Sequence, residues 1–325
     1  MQSNPFFIVG CGRSGTTLLR TILNRHADVA IPLESLFIID YLKVASRKDL
    51  TDLLSMLVRE PEIMEWGIKP QTDDFAGCRT ISEVIDELHQ IYLRVRGKNR
   101  WGQKTPRFVR ETELLLHHFP GALFIHVVRD PRAVVNSLIH SDVHASNAYH
   151  ASLRWRMDVA KGLELEKKHP RRVTRVHYED MVRAPENAIK RILDFLELAY
   201  DPALLHNDPS SAEEYSEFYQ NIHANLDRSP TDQFIDKWKT RLSSADVEVI
   251  EALTYEQMRG LGYEPVTENP ALPGGFVARA RLQRLAGLFR QTMRYLRYRR
   301  KYLVFLLWRK WKLGLLFDFL WDVNY

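Results

Sequence analysis

Cysteine is scarce in this sequence, since only Cys11 and Cys78 occur among 325 residues. Two cysteines exclude a framework of several disulfides and are typical of proteins from a reducing compartment. Long uncharged runs are also missing from the C-terminal part, where the stretch 302–308 is far too short to cross a hydrocarbon layer of about 30 Å. A strand-like apolar segment begins as early as Phe6, which leaves no room for a signal peptide. These absences predict a cytoplasmic location.

Acidic residues are scarce near the C-terminus. Between residues 276 and 325, twelve lysines and arginines stand against Asp318 and Asp322, a net charge of +10, whereas the whole chain carries +5. Apolar residues recur there at helical spacing: Leu282, Leu285, Phe289, Met293 and Leu296. A basic amphipathic helix of this kind suits an anionic inner membrane surface or an acidic partner, and packing on the rest of the protein is the alternative. We expect no nucleic-acid partner, because the chain has no recognisable reading motif.

Short apolar runs alternate with helical patterns along the first part of the chain. The strand-like runs are 6–9, 122–128 and 173–178, and the helical patterns are 16–26, 110–118, 131–140, 147–168, 185–197 and 244–260. Residues 35–65 and 80–97 indicate a helical insertion. The alternation predicts an α/β fold with a central parallel sheet flanked by helices. Prolines and glycines break the periodicity after residue 263, so we predict one domain over 1–268 and a linker with a helical tail over 269–325.

The glycine-rich segment that follows the first strand lacks a lysine. Gly10 and Gly15 keep the spacing of a Walker A loop, but Thr16 stands in the lysine position and Thr17 follows it. That lysine reaches the β- and γ-phosphates in nucleoside-triphosphate enzymes, so its absence argues against their chemistry. Backbone N–H groups at the start of the next helix, together with Arg13, still make an anion site.

The order Gly-x-x-Arg-Ser-Gly-Thr-Thr-Leu-Leu, which starts at Gly10, resembles the 5′-phosphosulfate loop of sulfotransferases that use 3′-phosphoadenosine 5′-phosphosulfate (PAPS). The similarity is greatest to the bacterial-type and tyrosylprotein or carbohydrate branches. It implies a P-loop-type three-layer fold, PAPS as co-substrate without a metal, and a hydroxyl acceptor on a lipid, glycan or small molecule. It also implies that the phosphosulfate is bound by Gly12, Arg13, Ser14, Gly15, Thr16 and Thr17, with Arg13 also acting in catalysis.

A second anion signature begins at Arg129. Asp130 is placed to cap a helix that starts at Pro131, so Arg129 falls at the carboxyl end of a strand, where open α/β sheets bind ligands. The resemblance assigns the 3′-phosphate of PAPS to Arg129 and Ser137. A surface arginine paired with Asp130 is the alternative, and Arg132 is either a ligand residue or structural.

Two further positions match catalytic residues of the family. Glu34 resembles the general base of the tyrosylprotein branch, and a base is needed because sulfuryl transfer to an alcohol releases a proton. Lys104, in a segment similar to the Lys-x-Pro motif, is implied to stabilise charge on the bridging oxygen of the leaving phosphate. Leu33 and Leu36 replace an acidic residue and a substrate-binding arginine of that branch, which argues against a tyrosine peptide as acceptor.

The remaining assignments keep alternatives. Tyr178 resembles a tyrosine that approaches adenine, and Ser229 resembles a serine near the sulfate; a packed tyrosine and a helix-capping serine are the other interpretations. A histidine, His140 or His144 above all, is the alternative base. A P-loop kinase of altered motif and a non-catalytic, membrane-recruited nucleotide-binding protein are the alternative functions.

Overall fold

The computed structural model describes residues 4–141, 146–206, 232–272, 274–298 and 300–316. Within these residues a five-stranded sheet forms the centre of the fold. Its strands are β1 (Phe6–Gly10), β2 (Val29–Ala30), β3 (Arg100–Lys104), β4 (Leu123–Val128) and β5 (Val173–His177).

Neighbouring strands are parallel and follow the order β2-β3-β1-β4-β5. Strand β1 lies at the centre, with Phe6 opposite Gly102 of β3 and opposite Leu123 of β4. Because the carboxyl ends of parallel strands meet at one edge of the sheet, the segments that follow β1, β3 and β4 come together there. These three segments carry Arg13, Thr105 and Arg129.

Helices cover both faces of the sheet. The described α-helices are α1 (Thr16–Asn24), α2 (Phe37–Val44), α3 (Leu50–Leu57), α4 (Pro61–Glu65), α5 (Ile81–Arg96), α6 (Thr112–His118), α7 (Pro131–Ile139), α8 (Ala148–Lys168), α9 (Tyr178–Arg183), α10 (Pro185–Phe195), α11 (Trp238–Arg241), α12 (Ser244–Gly260), α13 (Phe276–Tyr298) and α14 (Arg300–Leu313). Short 3₁₀ helices lie at 72–75, 106–110, 202–205 and 232–234. The structure confirms the predicted α/β fold.

The alternation of side chains along β1 explains the layers. Phe7 and Val9 point into a cluster that includes the insertion helices α2 and α5. Phe6 and Ile8 point to the other face, where α1 and α10 cover them. Since successive residues of a strand face opposite sides, an uninterrupted apolar strand needs helices on both faces.

Strands β2 and β3 were not predicted from the sequence. Strand β2 has only two residues, and β3 is polar, with the sequence Arg-Trp-Gly-Gln-Lys. All five residues of β3 are nevertheless buried, and the buried guanidinium of Arg100 donates hydrogen bonds to the carbonyls of Asn4 and Leu196. A buried strand made of polar residues has no hydrophobic periodicity that could indicate it.

Part of the basic tail packs on the rest of the protein. Helix α14 contacts α2, and Leu313 and Leu315 join the hydrophobic cluster of the insertion helices. Helix α13 contacts α8, where Asn147 donates a hydrogen bond to the carbonyl of Ala280. These contacts correspond to the alternative in which the tail packs on the body, and the division at residue 268 stays a prediction. No helix in the described ranges combines the length and apolarity that a membrane crossing requires.

Candidate active site

The loop between β1 and α1 has the backbone shape of an anion cradle. Gly10, Arg13 and Gly15 all have positive φ angles, of 144°, 73° and 94°. A Cβ atom at Gly15 would lie 2.3 Å from Cδ2 of Tyr178, so only glycine fits there. Helix α1 begins immediately afterwards with no side-chain cap among the described residues and no acidic residue in its first turn. Its first N–H groups therefore face the loop, as the sequence predicts.

Arg13 and Arg129, predicted for opposite ends of PAPS, lie together. Arg129 donates from Nη1 to the carbonyl of Arg13 at 3.1 Å, and its guanidinium stacks on the ring of Tyr178 with 4.0 Å between Cζ and the centroid. Arg13 in turn donates from Nε to Oγ of Ser137 at 3.0 Å. The two predicted anion sites are thus contiguous.

Positive charge at this point is only partly balanced. Burial lowers the pKa of Arg13, the nearby charge of Arg129 lowers it further, and Glu34 acts in the opposite direction. Two buried polar atoms, Oγ of Ser14 and Nε of Arg129, have no hydrogen-bond partner within the described part of the chain. Since buried polar groups are normally hydrogen-bonded, these atoms and the uncapped helix fit a phosphate or sulfate group.

The neighbouring arginine has a structural role. Arg132 pairs with Asp130 at 2.6 Å and with Glu251 at 2.8 Å, and all three side chains are buried or nearly so. Asp130 also caps α7, accepting a hydrogen bond from the backbone N–H of Arg132. The carboxylate of Asp130 is therefore engaged by Arg132 rather than by Arg129, which donates from Nη1 to the loop and from Nη2 to the carbonyl of Phe234 at 2.7 Å.

Glu34 and Lys104 are in direct contact beside the loop. A carboxylate oxygen of Glu34 accepts a hydrogen bond from Nζ of Lys104, which also lies 3.3 Å from Oγ1 of Thr17 at the start of α1. Burial lowers the pKa of Lys104, and Glu34 partly restores it. The side chain of Lys104 is buried, whereas that of Glu34 is 34% exposed. The ammonium of Lys104, next to the loop between β1 and α1, and the partly exposed carboxylate of Glu34 therefore lie side by side.

Strand β3 fixes the segment that carries Glu34. Nε2 of Gln103 donates to the carbonyl of Leu33 at 3.2 Å, and the N–H of Ser35 donates to Oγ1 of Thr105 at 3.1 Å. Glu34 is therefore held on both sides by residues that flank Lys104. Gln103 is itself held by the buried ring of His89, 3.1 Å from its Oε1.

Helix α1 holds the same segment from the other side. The guanidinium of Arg20 donates from Nε to the carbonyls of Ile31 and Pro32 at 2.9 and 3.0 Å. Asn24 both donates to and accepts from the backbone of Ile31. Glu34, Lys104 and the start of α1 are consequently connected by one network of hydrogen bonds.

Arg154 is a charged residue near the loop that the sequence analysis did not single out. Its Nη2 lies 2.9 Å from the position that a Cβ atom of Gly12 would occupy, and its charge contributes to the lowered pKa of Arg13. Asp158, which is fully buried, lies 3.8 Å from Nε of Arg154 and pairs with Arg110 at 2.6 Å. In the sequence, Arg154 belongs to the pattern Arg-Trp-Arg within a predicted helix. That pattern does not indicate which face of the helix contacts the loop.

The other candidates are Cys11, His140, His144 and Ser229. Cys11 is completely buried, which raises the pKa of its thiol, as expected of a space-filling residue. Nδ1 of His140 bonds to the carbonyl of Asn136 within its own helix. His144 and Ser229 lie outside the described residues. No group of three or more histidine, cysteine, aspartate or glutamate side chains within the described ranges is arranged to hold a metal ion.

Comparison with known proteins gives the same family as the loop. A family model described as "Sulfotransferase family" matches residues 5–202. A putative protein-tyrosine sulfotransferase of Caenorhabditis briggsae is 28% identical over 62% of this chain and 68% of its own length. Protein-tyrosine sulfotransferase A of Caenorhabditis elegans is 24% identical over 83% of this chain and 70% of its own length.

Two further similarities extend the comparison. The ω-hydroxy-β-dihydromenaquinone-9 sulfotransferase Stf3 of Mycobacterium bovis is 26% identical over 60% of this chain and 63% of its own length. Among solved structures, the sulfotransferase domain from the curacin biosynthetic pathway covers 81% of this chain and 98% of its own with a TM-score of 0.60 at 21% identity, which is a similarity of fold. The chain belongs to the family of PAPS-dependent sulfotransferases.

Proposed function

We propose that Glu34 is the general base and Lys104 the leaving-group cation of sulfuryl transfer to an acceptor hydroxyl. Their contact beside Thr17 is the observation that carries the proposal. When bound, PAPS supplies a sulfuryl group attached to a phosphate that can leave. Lys104 reaches the start of α1, so its ammonium lies where negative charge gathers on that phosphate. Glu34 is open to solvent and accepts the proton of a hydroxyl that approaches from that side.

The nucleotide is held by the loop and by the residues around Arg129. Gly12, Arg13, Ser14, Gly15, Thr16 and Thr17 hold the 5′-phosphosulfate, and Arg129 and Ser137 hold the 3′-phosphate. The contacts of Arg13 with Ser137 and of Arg129 with the carbonyl of Arg13 support one continuous site for both anionic groups, and the division between the groups follows the resemblance to the family. The ring of Tyr178 stacks on the guanidinium of Arg129. The roles of Tyr178 at the adenine and of Ser229 near the sulfate stay predictions.

The base assignment is tested by Glu34→Gln. We expect turnover to fall about 10²–10⁴-fold, the usual contribution of general acid–base catalysis, because the amide cannot accept the acceptor proton. Affinity for 3′-phosphoadenosine 5′-phosphate, measured by calorimetry, is expected to change little, because Glu34 faces the acceptor. Single-turnover assays show whether the transfer step itself is slowed.

Glu113→Gln provides the matched control, because that glutamate is 61% exposed and pairs with Lys168 at the end of α8. A Glu34→Gln enzyme that keeps more than about a tenth of wild-type transfer would remove Glu34 from the role of base. Loss of nucleotide binding in the same variant would instead indicate that Glu34 mainly holds Lys104 in place.

We also propose that the protein is cytoplasmic and binds an anionic membrane surface through α13. Leu282, Phe289, Met293 and Leu296 lie on this helix with exposures from 43% to 69%, and arginines occur between them in the sequence. The side chains of Leu285, Arg290 and Arg294 lie outside the described part. A helix with exposed apolar residues and basic neighbours fits an anionic lipid surface.

Flotation with vesicles tests the membrane proposal. The full chain is expected to float with phosphatidylglycerol vesicles, less so as salt rises, and Phe289→Ser with Met293→Ser is expected to reduce flotation. Removing the whole tail is a poor test, because Leu313 and Leu315 belong to the core. Equal flotation of wild type and double variant at all salt concentrations would refute a role for α13.

A further inference from the structure

Helix α14 is joined to the body by a buried ionic clasp, formed by Arg309 and Lys310 with Asp40 and Glu60. Arg309 donates from Nε to Asp40 at 3.0 Å and from Nη1 to Glu60 at 2.6 Å, and its side chain is only 1% exposed. Lys310 adds a contact to Asp40 at 2.7 Å. Breaking a buried ion pair by loss of one partner is strongly unfavourable, so the clasp fixes α14 on α2.

The clasp lies close to the base candidate along the chain. Asp40 is in the first turn of α2, which starts three residues after Glu34. Leu33, the residue before Glu34, packs on the same hydrophobic cluster that holds Leu313 and Leu315. Leu33 and Leu36 are both only partly buried, so the exposed carboxylate of Glu34 has apolar neighbours on both sides. The acceptor side of the site and the C-terminal helix therefore share one packing unit.

The face of α14 opposite the clasp is apolar and open to solvent. Val304, Leu307 and Trp311, spaced three and four residues apart, are 59%, 40% and 63% exposed. Each large apolar side chain left in water forgoes the favourable free energy that its burial would provide. Leu282, Phe289, Met293 and Leu296 of the preceding helix, α13, are exposed as well.

The positive charge of the tail indicates what binds to the exposed apolar side chains of α13 and α14. The sequence has no acidic residue between Glu268 and Asp318, a stretch that contains both tail helices and twelve lysines and arginines. Apolar side chains surrounded by charge of one sign over two successive helices suit a surface that is apolar inside and anionic outside, as an anionic bilayer is. Tryptophan and lysine, at Trp311 and Lys312, are also residues that favour the level of the headgroups.

We infer that the acceptor is a hydroxyl-bearing amphiphile that resides in an anionic membrane, and that the clasp holds the membrane-binding helices next to the site where its hydroxyl reacts. The inference rests on the proposed sulfuryl transfer and names the class of its acceptor. In the reaction, the acceptor oxygen forms the new bond to sulfur, the bond from sulfur to the phosphate oxygen breaks, and Glu34 takes the hydroxyl proton. The leaving group is 3′-phosphoadenosine 5′-phosphate.

The test compares two acceptors that carry the same phenol. 4-Dodecylphenol is placed in vesicles of phosphatidylcholine with or without phosphatidylglycerol, and 4-ethylphenol is supplied in solution; the full chain and PAPS are used throughout. We expect transfer to the dodecylphenol to be at least about tenfold faster in the anionic vesicles, because several basic side chains each contribute to surface attraction. Val304→Ser with Trp311→Ser is expected to abolish that advantage while leaving transfer to ethylphenol and nucleotide affinity unchanged.

The outcomes separate this inference from the proposed function. Transfer to ethylphenol with no gain from anionic vesicles would overturn the inference alone, and so would an unchanged gain in the Val304→Ser, Trp311→Ser variant. Failure to bind 3′-phosphoadenosine 5′-phosphate would overturn the proposed nucleotide site instead. If the variant loses affinity for a soluble protein and keeps its vesicle-dependent rate, the faces are a protein interface and the inference is wrong.

Discussion

The guanidinium of Arg154 reaches the phosphate loop from α8, at a point where the loop has Gly12. A side chain at residue 12 would contact Nη2 of Arg154, so the glycine provides the space that the arginine occupies. Asp158, which lies 3.8 Å from Nε of Arg154, forms a buried ion pair with Arg110. Three arginines therefore lie at this loop: Arg13 within it, and Arg129 and Arg154 beside it. The approach of Arg154 to Gly12 is the contact that could not be predicted from the local sequence.

Arg154→Met should weaken nucleotide binding. Hydrogen bonds to charged groups contribute about 1.5–3 kcal/mol, so we expect the affinity for 3′-phosphoadenosine 5′-phosphate to fall about 10- to 100-fold. Calorimetry at low salt measures the effect. Arg156→Met is the matched control, because this arginine is on the same helix and donates instead to the carbonyl of Leu253. Equal affinities of the two variants would show that Arg154 only supports Asp158.

At the scale of elements, the site depends on how β3 and α1 hold the segment before α2. The glycine loop, the helix after it and the Asp130–Pro131 helix start were predictable, because each is encoded by residues adjacent in sequence. The roles of Glu34 and Lys104 were predicted only by resemblance to a family, and the contact between their side chains was not predicted. Its physical basis is a pair of hydrogen bonds, one that Gln103 donates to the carbonyl of Leu33 and one that Thr105 accepts from the N–H of Ser35, and both join residues far apart in the chain.

The junction of β4, β5 and α8 contains a partly buried acid, Glu166, with a strongly shifted pKa. Glu166 accepts hydrogen bonds from Arg175 and lies 2.6 Å from Nδ1 of His126. Burial raises its pKa, but the hydrogen bonds from His126 and Arg175 outweigh burial and lower it from 4.5 to about 2. The folded state therefore favours the carboxylate more than the unfolded state does.

This shift makes a prediction for stability against pH. Because the folded pKa is depressed, the stabilisation is complete above about pH 4.5 and is lost as the pH falls towards 2. A shift of this size corresponds to at most about 3 kcal/mol. We expect the difference in unfolding free energy between wild type and Glu166→Gln to be largest at neutral pH and to shrink in acid, as measured by urea unfolding. A difference that stays constant from pH 7 to 3 would contradict this.

At the scale of the whole molecule, the loop between β1 and α1 lies at one edge of the sheet, and the insertion helices on one face of the sheet pack against the tail. Phe7 and Val9 of the central strand belong to the same hydrophobic cluster as Leu313 and Leu315 near the end of the described chain. Tyr302 also donates to Glu62 in α4 at 2.7 Å. One side of the basic tail therefore packs into the core and the other side is exposed. Charge and periodicity in the sequence do not distinguish such a helix from one that makes no contact with the rest of the protein.

Arg309→Met tests how far the tail contributes to the stability of the body. The substitution leaves Glu60 buried without the guanidinium, so we expect the unfolding free energy to fall by about 3–5 kcal/mol. Lys312→Met, on an exposed position of the same helix, should change it by about 0.5 kcal/mol at most. Adding Glu60→Gln to Arg309→Met should recover part of the loss, because no unpaired carboxylate then remains at that position. Urea unfolding followed by tryptophan fluorescence measures all three. If Arg309→Met unfolds at the wild-type midpoint, the tail is an independent unit, as the boundary at residue 268 predicts.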